Sequence, residues 1–398
     1  MDAKTGTQTE RIGSIDFLRG LVMIIMALDH VRMYFGAGTW YAEPTDLVTT
    51  TPLLFFTRWI THFCAPVFVF LAGTSAFLYG IKKADSQGTA WFLFTRGLWL
   101  IAVELVIVNF AWTFDIAYSF LILQVIWAIG ISMVVLSALV FLPNGWILTI
   151  GMILVFGHNL LDTITVQGTS AWDVIWYILH QPTSIFIDST RLVNVVYPVL
   201  PWVGLMALGY GFGQVYGRDF PSAQRRHWLF SIGICATLLF LFLRGFNLYG
   251  EPREWQPQDS TLYSLMSFLN TTKYPPSLHF LLMTMGPALI LLAWIEILGE
   301  RLAKPVIVFG KVPFFFYVVH LYVIHALAML MLVTQGHDWR AYILSARAIT
   351  SGTLSSYGLG LGAVYGIWVM IVLLLYPLCR WYQKVRESHP ARRWLRYL

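Results

Sequence analysis

Charge is what this sequence has least of. Only 12% of its 398 residues are Asp, Glu, Lys or Arg, roughly half the share of a soluble domain. So little charge cannot cover a water-facing surface, which excludes a soluble domain and a disordered chain. Cysteine is nearly as scarce. Cys64, Cys235 and Cys379 are an odd number, far apart and in or beside apolar runs, with no CxxC. That excludes a disulfide-stapled module and a thiolate metal site. No GxGxxG, Walker loop, HExxH or GxSxG occurs, so nothing points to a dinucleotide fold, a P-loop, a zincin or a serine-hydrolase elbow. His320 and His325 are five apart, poorly placed as ligands on one helical face, and no metal is expected.

What is present is apolar. Hydrophobic residues make up 58% and aromatic residues 16%, with 17 Trp, a content suited to aromatic belts at two membrane faces. A span needs roughly 20 apolar residues. Ten runs approach that length: 13–36, 53–81, 90–112, 117–142, 145–161, 195–216, 228–246, 277–298, 305–332 and 357–380. The expected fold is all-α, a polytopic transmembrane bundle of about ten spans forming a single domain over 1–398. The segment 162–194 is amphipathic, with Trp172, Trp176 and His180, and either lies along the interface or folds back. The first run is too long and too charged for a cleavable signal.

An even number of spans puts both termini on one side, and charge selects it. Fifteen Lys and Arg fall in one set of segments, among them Lys82, Lys83, Arg225, Arg226, Lys304, Arg380, Arg392, Arg393 and Arg396. Five fall opposite: Arg191, Arg253, Lys273, Arg340 and Arg347. By the positive-inside rule both termini are cytoplasmic. The net charge of +6 is then loop bias, not a nucleic-acid footprint. The basic tail over 381–398, with Arg392, Arg393, Trp394, Leu395 and Arg396, suits anionic lipid. The lack of a signal peptide or sorting motif favours a bacterial plasma (inner) membrane. No internal repeat is evident.

Ionisable groups at membrane depth mark function by default. By helical rise, Asp29 and His30 lie about 24–26 Å along the first run, Glu104 about 21 Å along the third and His320 about 22 Å along the ninth. Arg58 and His62 lie roughly 8 and 14 Å into the second run, which travels the other way. These groups share one depth, near the outer third. Asp29 beside His30 is a carboxylate positioned to fix an imidazole tautomer. Glu104 is a candidate partner for Arg58 or Arg96. Nearer the cytoplasmic face, Asp16 and Arg19 are three apart on one side of a helix. Arg19 and Arg96 form either structural ion pairs or a guanidinium seat for phosphate.

The segment RIGSIDFLRGLVMIIMALDH (11–30) resembles the start of the heparan-alpha-glucosaminide N-acetyltransferase catalytic-domain family. Its core is Ser14-Ile15-Asp16, Arg19 and Gly20. HFCAPVFVFLAGTSAFLYG (62–80) is similar to the second-helix signature through Pro66, Phe68, Phe70, Gly73 and Ser75. YPVLPWVGLMALGYGFG (197–213), KYPPSLHFLLMTMGPA (273–288) and FGKVPFFFYVVHLYVIH (309–325) resemble further blocks in the family's order. The resemblance implies a transmembrane acyltransferase that takes an acyl group, acetyl first, from cytosolic acyl-CoA and passes it to a sugar across the membrane. The family pattern has an Asn near the outer end of the first helix and a His soon after. Counting from Arg19-Gly20, His30 occupies the Asn position. A gapless count puts Tyr41 at the His position, and the nearest histidine is His62.

The implied site has His30, Asp29 and His62 as catalytic groups, with His30 as base or acyl carrier. Arg58, Glu104 and His320 support the oxyanion or acceptor, and Arg19 and Arg96 hold acetyl-CoA or another acyl-CoA. Membrane lipid, acyl-CoA and a sugar-type acceptor are the expected partners. A proton-coupled transporter of a small molecule or glycan precursor explains the same buried Asp, Glu and His groups. Acceptor, acyl length and oligomeric state stay open.

Overall fold

A computed structural model describes residues 13–40, 42–217, 219–298, 304–351, 357–389 and 392. The first apolar run is α1 (Gly13–Phe35). The second splits into α2 (Pro52–Ile60) and α3 (Cys64–Lys83) around a 3-10 turn. Then come α4 (Ser86–Val103) and α5 (Asn109–Thr113), α6 (Val125–Leu139), α7 (Asn144–Gly157), α8 (Ala171–Leu179), α9 (Leu200–Phe212), α10 (Ser222–Gly245) and α11 (Thr261–Leu269). Last are α12 (Leu278–Leu298), α13 (Lys304–Lys311), α14 (Pro313–Thr334), α15 (Ala346–Thr350) and α16 (Leu361–Ser388).

Among the described residues, seven helical stretches are long and apolar enough to cross a membrane. The first, fourth and sixth runs fall outside that set for separate reasons. α1 is long but carries Asp16, Arg19, Asp29 and Arg32. α6 has 15 residues and α9 has 13. Apolar side chains cover the outside of the bundle. Only 22% of the apolar window of α10 and 17% of that of α16 is buried, and Leu238, Leu241, Phe242, Leu373, Leu374 and Trp381 point outward. Lipid suits such faces and water does not.

Five connecting segments gather at one end. Ala37 donates to Leu359 O and Leu344 to Thr113 O. Asn270 Nδ2 donates to Thr45 O, Tyr263 OH to Thr50 O, Leu278 N to Asn159 Oδ1, and Tyr249 OH to Phe156 O. At the opposite end Arg225 Nε is 3.0 Å from both oxygens of Glu296, and Asn144 bonds Gly211 O and Gln214. The segment after α10 is fastened by Arg244, 1% exposed, which donates to the carbonyls of Phe268, Arg253, Ser267 and Asn270. Glu251 accepts from Thr272 N and Oγ1 and from Ser277 Oγ. That carboxylate fixes the stretch containing Lys273 and Tyr274.

Among the described residues, one sheet departs from the all-α expectation. Strands β1 (Phe120–Leu123), β2 (Thr183–Phe186) and β3 (Leu192–Val195) form a sheet of order β1-β3-β2. β1 runs parallel and β2 antiparallel to β3. The fourth apolar run therefore starts as a strand, and its helix begins only at Val125. The free edge of β1 meets a side chain instead of a fourth strand. Asn109 Nδ2 donates to Phe120 O and its Oδ1 accepts from Ile122 N, so the edge backbone is satisfied. The ninth run breaks at Val312, because Pro313 opens α14 without an amide hydrogen.

α1 is the hub, touching α3, α12, α13, α14 and α16. Its closest neighbour is α13. A Cβ on Gly20 would collide with Val306 O and Gly310 N, and one on Gly310 with Asp16 O. Gly73 and Gly209 bring α3 and α9 together in the same way. Gly362 and Gly366 have open space where a Cβ would sit. The helix of the basic tail runs on to Ser388, and Arg393, Trp394, Leu395 and Arg396 lie outside the described residues.

Candidate active site

Where α1 ends, a cavity of about 440 Å³ opens among the gathered segments, within the range of small-molecule sites. α1 contributes Met26, Asp29, His30, Arg32 and Met33, the turn after it Trp40 and Glu43, and α2 Arg58. α5 gives Trp112, the sheet Phe120, Ile122 and Asn194, and Lys273, Tyr274 and Tyr317 close the wall. Arg32, Arg58 and Lys273 set three cationic groups against Asp29 and Glu43.

Asp29 sits between two arginines. Its Oδ1 accepts from Arg32 Nη2 at 2.9 Å and its Oδ2 from Arg58 Nη1. Arg58 Nε and Arg32 Nη1 are buried without a partner among the described residues, so the arginines keep donors in reserve beside the cavity.

His30 is held by another histidine and not by its neighbour Asp29. His30 Nδ1 lies 2.7 Å from His320 Nε2, and His320 Nδ1 lies 2.8 Å from Phe316 O. A carbonyl only accepts, so His320 Nδ1 carries hydrogen. With both rings neutral, His320 Nε2 then accepts from His30 Nδ1–H, and the lone pair of His30 falls on Nε2. That nitrogen has no hydrogen-bond partner among the described residues, and His30 is one of the residues that line the cavity. The edge of Trp112 packs on His30 at 4.9 Å between centroids, and Phe316 stacks on His320 at 5.0 Å. Both rings are thus fixed in orientation.

The other candidates divide. Arg58 reaches the cavity. His62 is 3% exposed, packs on Phe280 and is not among the lining residues. Glu104, expected to pair with Arg58 or Arg96, instead turns its carboxyl toward the backbone N–H groups of Gln124, Ile126 and Trp127 at the start of α6. No contact there meets hydrogen-bond geometry. Glu104 also opens a five-residue π turn, Glu104–Val108. Tyr118 and Tyr322 donate to the Val106 and Ile107 carbonyls within it.

Arg19 and Arg96 lie away from the cavity. Arg19 donates to Asp16 Oδ1 at 3.3 Å, to Ser75 Oγ at 3.0 Å and toward Gly310 O at 3.5 Å. The signature residues of α1, α3 and α13 therefore converge on one network at the opposite end of α1. Arg96 lies over the Phe314 ring at 5.8 Å. Tyr41 lies outside the described residues.

The sequence reading missed Arg32, Lys273, Trp112 and Tyr317 as site residues. Arg32 had a signal, three residues after Asp29 on the same helical face. Lys273 belongs to a segment whose fold depends on Glu251, and spacing does not reveal that.

A comparison with curated proteins found no match. A comparison with protein families matched residues 11–233, more than half of the chain, including Asp29, His30, Arg58 and the sheet. The blocks at 273–288 and 309–325, with Lys273 and His320, lie beyond the matched residues. By that match the chain belongs to the family described as heparan-alpha-glucosaminide N-acetyltransferase, catalytic.

Proposed function

We propose that this membrane acetyltransferase-like protein moves an acyl group, acetyl first, from cytosolic acyl-CoA to a hydroxyl or amine on a sugar-type acceptor outside a bacterial plasma membrane. The observation that carries the reading is His30, a cavity-lining residue whose ring is pinned through Nδ1 and whose Nε2 has no hydrogen-bond partner among the described residues. The acceptor occupies the cavity, to whose wall Trp40, Trp112 and Tyr274 contribute aromatic surface. Its nucleophilic oxygen or nitrogen attacks the thioester carbonyl while His30 Nε2 takes its proton. Arg58, with a buried donor in reserve, meets the developing oxyanion. The tetrahedral intermediate collapses, the C–S bond breaks, and the CoA thiolate recovers the proton from His30. In the two-step variant His30 Nε2 attacks the thioester carbonyl, the C–S bond breaks and CoA leaves as thiolate; the acceptor then attacks the acyl-imidazole, its proton passes to the thiolate, and the C–N bond breaks to free His30.

Ten crossings with both termini cytoplasmic fit this reading. The five segments gathered at one end are those the charge count assigns outside, and the Arg19 network then faces the cytoplasm. From Arg19 to His30 is about 16 Å along α1, a distance an extended pantetheine arm covers. The donor's phosphates stay at the cytoplasmic end with Arg19 and Arg96 near them.

The test is acetyl transfer from labelled acetyl-CoA by purified protein to a panel of sugars, amino sugars and lipid-linked sugars. Acceptor-dependent release of CoA that disappears in His30→Ala supports the reading. Acetyl-CoA binding without transfer to any hydroxyl or amine contradicts it.

A further inference from the structure

A second cluster of ligand-type side chains lies outside the central cavity. His158 opens the 3-10 turn that ends α7, Asp162 caps that turn, and His180 caps α8. Ligand atoms of the three lie within 4.8 Å of one another, and His180 Nε2 is 2.9 Å from Asp162 Oδ1. His158 is 2% exposed and His180 3%.

The cluster is incomplete as it stands. Both ring nitrogens of His158 and Nδ1 of His180 are buried without a partner among the described residues. A neutral imidazole carries one N–H and one lone pair, and His158 leaves both unsatisfied. Buried polar atoms are seldom left so in a native protein. Two imidazoles and a carboxylate form a donor set for a first-row divalent ion such as zinc, whereas calcium and magnesium prefer oxygen throughout. An outer shell is present too. Asn159 Nδ2 donates to Asp162 Oδ2 at 2.8 Å, its Oδ1 accepts from Leu278 N, and Trp176 packs on His180.

We propose that His158, Asp162 and His180 bind one zinc-type divalent ion, with water as fourth ligand, as a clamp between α7 and α8. β2 and β3 follow α8, and β3 brings Asn194 and then Val196 and Tyr197 to the central cavity. The ion therefore steadies one wall of that cavity, whatever reaction occurs there.

The test uses full-length, tag-free protein in detergent, stripped with a chelator. It is titrated with zinc chloride by calorimetry and with cobalt chloride by visible absorption. The expected result is one ion per chain, the absorption of a four-coordinate cobalt site and a thermal midpoint that rises with zinc. Affinity falls about 100-fold in His158→Ala and in His180→Ala and about 10-fold in Asn159→Ala, and is unchanged in His337→Ala, an exposed histidine elsewhere. If a ligand variant fails to fold, the wild-type cobalt spectrum and Asn159→Ala decide. Wild-type protein that takes up neither ion, or undiminished uptake by folded His158→Ala, overturns the proposal.

Discussion

His30, His320 and Asp29 lie close together but make different contacts. His30 faces the cavity, so His30→Ala is expected to lower acetyl transfer about 10²–10⁴-fold, with acetyl-CoA affinity and thermal midpoint near wild type. His320 touches His30 and is not among the cavity-lining residues, so its role in the proposed reaction is positioning. His320→Gln keeps an acceptor oxygen for His30 Nδ1–H and should retain more activity than His320→Ala, with the pH profile of turnover displaced in the alanine variant. Equal activity in the two variants would deny His320 that role. Asp29 joins two arginines, and Asp29→Asn leaves both without their carboxylate. Breaking a buried pair costs about 3–5 kcal/mol, so a lowered thermal midpoint should accompany lost activity. An unchanged midpoint would remove Asp29 from the scaffold. The sequence marked Asp29 by depth, and His30 by depth and by its count from Arg19-Gly20, and both residues line one cavity. It assigned the orienting group to the wrong neighbour, because adjacency along a helix is not contact. The partner that fixes His30 is 290 residues away in sequence.

At the scale of elements, close packing of α1 on α13 depends on glycines. Gly20→Leu would drive a side chain into the α13 backbone and is expected to cost about 1–3 kcal/mol or abolish folding. Gly366→Leu, on an open face of α16, should stay within about 0.5 kcal/mol of wild type. Comparable losses in the two variants, read as thermal midpoints in one detergent, would contradict the packing argument. The apolar runs were legible because a span must be long and greasy, and every run became helix over most of its length. The sheet was not legible. Its strands are four residues each, and β1 lies inside an apolar run that reads equally well as helix. What makes it a strand is the pairing with β3 and with the Asn109 side chain, both non-local. The same limit hid the His158, Asp162 and His180 cluster, whose third member returns only after a loop and α8.

For the whole molecule, orientation is the exposed claim. In a background carrying Cys235→Ala, a membrane-impermeant maleimide should label Asp259→Cys in intact cells and Lys82→Cys only after lysis, both positions being exposed. The reverse pattern would place the cavity on the cytoplasmic side and remove transfer across the membrane. Charge asymmetry gives the sequence an orientation expectation, whereas the cavity itself depends on five segments meeting at one end. The most direct test of the central claim is calorimetric titration of purified wild-type and His30→Ala protein with acetyl-CoA. The account predicts saturable binding of similar affinity in both, with transfer confined to wild type. Absence of binding for acetyl-CoA and for longer acyl-CoAs would contradict the acyltransferase reading and return the buried charges to a transport cycle.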